Sequence, residues 1–257
     1  MAYTTIDDGS EYFQAITYTG NSNTSHAVTN TGNSNLQPDW IWVKIRTGQN
    51  DDHILVDSSR GNLKRLKSNQ NYSEPSDAAE IKSFDSNGFT LGTTDGTSNY
   101  NGFTYVAWQW KANGGTTSSN TDGTITSTVQ ANTTAGFSIV TYTGNGTSGA
   151  TIGHGLNSAP EWTIIKRRSD TEAWPVWHTA FGSAQSNVRL NGTDVVDTSS
   201  SGMFNNTFPT SSLITLGNGN FVNTNTETYV AYCFSEVKGY SKFGSYTGNN
   251  STDGVFV

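Results

Sequence analysis

The sequence runs to 257 residues, 14% of them charged and 33% hydrophobic, with a formal net charge of −7. That acidity offers neither a basic patch nor counterion release, which argues against nucleic acid or an anionic membrane as partner, while 7 Trp, 11 Tyr and 12 Phe argue against a disordered chain. The single cysteine, Cys233, excludes an intrachain disulfide, and no apolar stretch has bilayer-spanning length, so no membrane insertion is expected.

Along the chain, Tyr12–Tyr18 (YFQAITY) alternates, with Phe13, Ala15 and Thr17 opposite Gln14, Ile16 and Tyr18. This period of two predicts a strand running into the turn YTGN. Asp39–Ile45 (DWIWVKI) puts Ile41, Val43 and Ile45 on one face and Trp40, Trp42 and Lys44 on the other. Both faces are apolar, which predicts a central strand covered on its second side or displaying aromatics there. Ser73–Phe84, with a cap-like Ser76, is the one stretch with helical character. Phe103–Trp110 gathers Val106, Trp108 and Trp110 on one strand face. The Gly/Thr/Ser-rich stretch 114–136 contains TITSTV (Thr124–Val129), which reads as an edge strand between loops. Asn-Gly and Asp-Gly pairs punctuate these runs as turns.

The order then repeats. YTGN recurs from Tyr18–Asn21 at Tyr142–Asn145, PDWIWVKIR (Pro38–Arg46) at PEWTIIKRR (Pro160–Arg168), TLG at Thr215, and YVAWQW (Tyr105–Trp110) at YVAYCF (Tyr229–Phe234). Four blocks in register at a spacing near 124 residues predict two tandem domains. We place them at 1–112 and 113–238. A third YTGN, Tyr246–Asn249, makes 239–257 the first strand of a third repeat or a strand closing the second. The expected fold is all-β: two tandem β-sandwiches of jelly-roll or concanavalin-like type.

No nucleophile elbow, phosphate loop or zinc-type His/Cys cluster is present. His53 and His178 fall at unmatched positions of the two copies, so neither reads as a duplicated catalytic group. Asp39 and Glu161 match across copies, but each follows a proline ahead of a strand and reads as a turn acceptor. Asp194 and Asp197 form the best, and weak, candidate for a cation loop; no metal or cofactor is expected. Cys233 reads as an inert packed thiol. Sugar binding asks for less: exposed aromatics beside amides and hydroxyls. The candidates are Trp162, Trp174, Trp177 and His178 in the second copy and Trp40, Trp42, His53 and Tyr72 in the first.

The blocks FQAITYTGN, LQPDWIWVK, AGFSIVTYTGNGT and YVAYCFSEV resemble a domain of unassigned function in virion proteins of tailed bacteriophages, often tail fibres of marine phages. The resemblance covers Ser10 to Val257 and carries no catalytic motif. It implies a structural virion protein and not an enzyme: a tail-fibre or appendage subunit, assembled with other virion proteins as a homo-oligomer (a trimer by analogy) and contacting host-surface glycan. The opening MAYTTIDDGS lacks the look of a secretion signal, in keeping with synthesis in a host cytoplasm. A capsid decoration or tail accessory protein, and a polysaccharide depolymerase, are the alternatives.

Overall fold

The structure, a computed structural model, describes residues 4–75 and 79–254. Among them the first repeat has strands β1 (Phe13–Thr19), β2 (His26–Thr29), β3 (Trp40–Ile45), β4 (Ile54–Asp57), β5 (Ile81–Asp85), β6 (Gly88–Leu91) and β7 (Thr104–Trp110). The second has β8 (Ser118–Asn120), β9 (Ser127–Asn132), β10 (Phe137–Thr143), β11 (Ala150–Gly153), β12 (Trp162–Arg167), β13 (Pro175–His178), β14 (Val188–Arg189), β15 (Leu213–Leu216) and β16 (Thr228–Phe234). A single short α-helix, α1 (Ser201–Phe204), precedes β15 among the described residues. The protein is an all-β sandwich.

Each repeat pairs a main sheet with a back sheet. The first main sheet runs β1-β7-β3-β4, and its back sheet runs β2-β6-β5. The second main sheet runs β14-β13-β12-β16-β10-β9-β8, backed by β11-β15. The shared core order is therefore β1-β7-β3-β4 in one and β10-β16-β12-β13 in the other. The registers agree too: Phe13 sits opposite Trp110 and Phe137 opposite Phe234, while Tyr18 meets Tyr105 and Tyr142 meets Tyr229.

Strand alternation decides which side chains meet. Ile16, Ile41, Val43, Ile45, Tyr105 and Ala107 point into the first sandwich and meet Val28, Phe89 and Leu91 of its back sheet. Val140, Tyr142, Ile165, Tyr229, Ala231 and Cys233 do the same in the second, against Ile152, Ile214 and Leu216. The alternate residues build a third core between the two main sheets. There Trp40 and Leu55 of the first repeat pack with Phe137, Ile139, Ile164, Val230 and Tyr232 of the second. Trp40 stacks on Tyr232 with ring centroids 4.2 Å apart and an interplanar angle of 14°. Main sheet thus faces main sheet, and the molecule has four layers. The two apolar faces of Trp40–Ile45 have one cause: β3 lies between a sandwich core and this central seam.

Three expectations change. Ser73–Phe84 is not helical where it is described, because Ile81–Asp85 pairs with β6; Ser76 lies outside the described residues. TITSTV contributes to β9, which is not an edge, since β8 adds outside it. No strand forms among described residues 239–254. That segment crosses aromatic side chains rather than a sheet edge, held by the bridge between Val237 and Ser241.

Candidate functional site: an aromatic cleft between the repeats

Where the central seam reaches the surface, the repeats leave an open cleft of ≈ 480 Å³. Phe13 of β1 and Trp110 of β7 line it from the first repeat, with ring centroids 5.0 Å apart. Trp162 of β12 and Phe234 of β16 line it from the second, stacked at 4.8 Å. The segment after β16 forms the rim. Its Phe243 ring lies 6.3 Å from Phe234 and 6.4 Å from Trp162, and its Tyr240 meets Tyr12 edge-on at 6.2 Å. Phe13, Trp110, Trp162 and Phe243 are each only half-buried, so parts of their rings face solvent. Ser235, Ser241 and Lys242 supply polar groups, and Lys242 pairs with Glu236 at 3.0 Å. Burial, then the neighbouring Tyr12, pushes the Tyr240 phenol up to about 12, leaving it a neutral hydroxyl. Among the described residues the lining contains no carboxylate or imidazole. Such a surface can stack on an apolar ring face and hydrogen-bond hydroxyls.

The cleft walls are held together by a polar clamp deeper in the seam. Asp57 at the end of β4 accepts from Arg60 Nε at 2.5 Å and from the Tyr232 hydroxyl at 2.7 Å. Arg60 also donates to Glu74 at 2.5 Å, and Arg168 of the second repeat donates to the same carboxylate at 2.9 and 3.1 Å. Burial opposes ionisation of Glu74, but the Arg168 hydrogen bond and the Arg60 charge outweigh it and hold its carboxyl below the usual value. Lys166 is buried, which lowers it to about 8, and its ammonium donates to carbonyls of Arg167, Asn71 and Asp170. Lys166 and Arg168 thus hold the loop 70–74 of the first repeat onto the second, while Arg167 between them pairs with Asp170 and Glu227 of its own repeat.

Asp39 works at the other end of the junction. Its carboxylate accepts from the Ser58 hydroxyl and from the backbone N–H groups of Ala112, Gly114 and Gly115 at 2.7–2.9 Å. It is an acceptor, as expected, and it fixes the chain leaving β7. Gln130 of β9 reinforces it, donating to Ser58 and Ser59 of the first repeat at 3.0 and 2.8 Å.

The sugar-binding candidates divide accordingly. Trp174 and Trp40 are fully buried in the central seam, and Trp177 is buried in the second sandwich. None of the three can present a face to a sugar, which corrects their assignment. Trp174 and Trp177 sit three residues apart, and alternation sends them to opposite sides of one sheet. Trp174 Nε1 donates to Gln70 O at 2.9 Å, so it acts as a repeat-to-repeat anchor. Trp162 lines the cleft; His178 sits beside it, 6.1 Å from the Phe243 ring. Trp42 is half-buried away from the cleft and donates to His53 Nδ1 at 2.8 Å. Tyr72 is 55% exposed in the clamp loop and belongs to no aromatic cluster among the described residues. Asp194 and Asp197 are exposed; Asp197 accepts from the Ser199 N–H and hydroxyl at 2.9 and 3.0 Å. Among the described residues no group of three metal-capable side chains occurs. Cys233 is buried, which pushes its thiol up to about 12, as befits a packed, unreactive residue.

Sequence reasoning missed Phe13, Trp110, Phe234, Tyr240 and Phe243 as site residues. The available signal was that Trp110 and Phe234 end matching strands on matching faces. Among the described residues no helix is long and apolar enough to cross a membrane. Neither a curated protein nor a solved structure matches the chain. One family model does, described as "Domain of unknown function (DUF7483)", over residues 8–257.

Proposed function

The chain belongs to this DUF7483 family, and from that footing we propose that it is a structural virion protein of a tailed phage, a tail-fibre or appendage subunit whose inter-repeat cleft contacts host-surface glycan. The observation that carries the reading is the central seam. Two sandwiches joined through a buried aromatic stack, the Tyr232–Asp57 hydrogen bond and the Arg168–Glu74 ion pair make a stiff block, and stiffness suits a load-bearing appendage. The half-exposed Trp110, Trp162 and Phe243, with the hydroxyls of Ser241 and Tyr240, suit a neutral sugar ring better than a charged ligand. Oligomeric assembly with other virion proteins belongs to the same proposal.

Two measurements test it. Mass spectrometry of purified particles is expected to find the chain; intact particles without it would overturn the virion assignment. A glycan array is expected to give a hit that Trp162→Ala and Trp110→Ala each weaken by about tenfold or more, the loss of roughly 1.4 kcal/mol. No sugar bound by the parent protein would remove the glycan role. Trp42→Ala, outside the cleft, serves as the control and should leave binding unchanged.

A further inference from the structure

The two repeats differ at one edge. In the second, β10 has a partner on each side: β16, and β9 in register from Phe137 opposite Asn132 to Tyr142 opposite Ser127. The residues before β9 cross to the back sheet. Ile125 bridges Ile152, its N–H donates to Thr151 O at 2.9 Å, and the Ser127 hydroxyl donates to Gly153 O at 2.9 Å. The segment 123–132 therefore sews β10 to β11 and closes that flank, with Ile125 and Val129 buried in the core of the second sandwich.

In the first repeat the equivalents of β10 and β11 are β1 and β2. Among the described residues no strand pairs with the free side of either. Gly20 N–H donates to Phe103 O at 2.8 Å and Lys111 N–H donates to Tyr12 O at 2.9 Å, so the even-numbered peptide groups of this strand serve β7. Alternation turns those of Phe13, Ala15, Thr17 and Thr19 outward. An open gap of ≈ 380 Å³ lies between Ala15–Thr19 and His26–Thr29. Matched core positions register the missing cover: Ile16 is 8% exposed where Val140 is 0%, and Val28 is 5% exposed where Ile152 is 0%. The strand FQAITYT carries no charge or proline, the usual devices that keep an edge from pairing.

We propose that this gap is an acceptor for an extended, uncharged polypeptide segment of the same kind as Gly123–Asn132. The segment adds to β1 as an antiparallel strand and places aliphatic side chains, at the positions of Ile125 and Val129, between Ile16 and Val28. Recognition is by main-chain hydrogen bonds along β1 and by the two aliphatic side chains in the gap. This does not depend on the glycan reading, since the cleft and the gap use different residues apart from Phe13.

The probe is the synthetic peptide GTITSTVQAN, the sequence of residues 123–132, added at millimolar concentration to the whole chain. Hydrogen exchange is expected to slow by about tenfold or more at the amides of Phe13, Ala15, Thr17 and Thr19. The Thr17→Pro variant removes one outward N–H without touching the β7 pairing, so it should fold and bind the peptide at least about tenfold more weakly. A peptide with Ile125→Asp and Val129→Asp should not protect these amides. Three results would each overturn the proposal: no slowing with the parent peptide, equal slowing with the aspartate peptide, or protection that rises with protein concentration alone, which would put a second copy on the edge.

Discussion

Arg60 shows how much rests on single side chains in the seam. Its guanidinium and the Asp57 carboxylate are both fully buried, with Glu74 and the Tyr232 hydroxyl completing the set. Removing one member strands the others without solvent. Arg60→Met is expected to cost about 3–5 kcal/mol in urea unfolding. Lys242→Ala, which breaks a pair at the surface, should cost less than about 1 kcal/mol. Three histidines set the pH response. His53 Nδ1 accepts from Trp42 Nε1, His154 Nδ1 from Leu156 N–H, and His178 Nδ1 from Ala180 N–H. Each can accept only while that nitrogen is unprotonated, and burial lowers all three from their ordinary value. The unfolded chain therefore binds these protons first. Their neutral contacts are intact above about pH 6.5, and stability falls as pH drops from there through the lowered folded values. Urea midpoints between pH 7.5 and 5 measure this; a rise toward pH 5 would contradict it.

At the scale of elements, the YTGN turn ends equivalent strands and keeps its glycine for one reason. A Cβ on Gly20 would lie 2.3 Å from Tyr100 O, and one on Gly144 would lie 2.3 Å from Thr224 O. Close backbone approach, not a left-handed conformation, fixes the residue type. Gly144→Ala should cost about 1–3 kcal/mol through overpacking, read as a lowered Tm. The strand periods were legible in the sequence: Gln14 and Ile16 are buried, Ala15 and Thr17 exposed, and Ile41, Val43 and Ile45 point into the sandwich. Element types failed where pairing overrode local propensity, as at Ile81–Asp85. The site was less legible. Which aromatics stay half-exposed depends on a partner sheet from the other repeat, so Trp174 and Trp162 look alike in sequence but one is buried and the other half-exposed. No local pattern could pair Asp57 with Tyr232 across 175 residues.

For the whole molecule, the decisive feature is that the outer faces of both main sheets are interior. Trp40, Phe137 and Tyr232 form one aromatic stack that belongs to neither repeat alone. Truncating such a residue should therefore weaken both repeats together. Calorimetry of the whole chain reads this coupling. One cooperative unfolding transition is expected, with calorimetric and van't Hoff enthalpies in agreement, and a single lowered transition for Tyr232→Ala. Two separable transitions in the parent protein, or a Tyr232→Ala variant in which only the second repeat melts early, would contradict it.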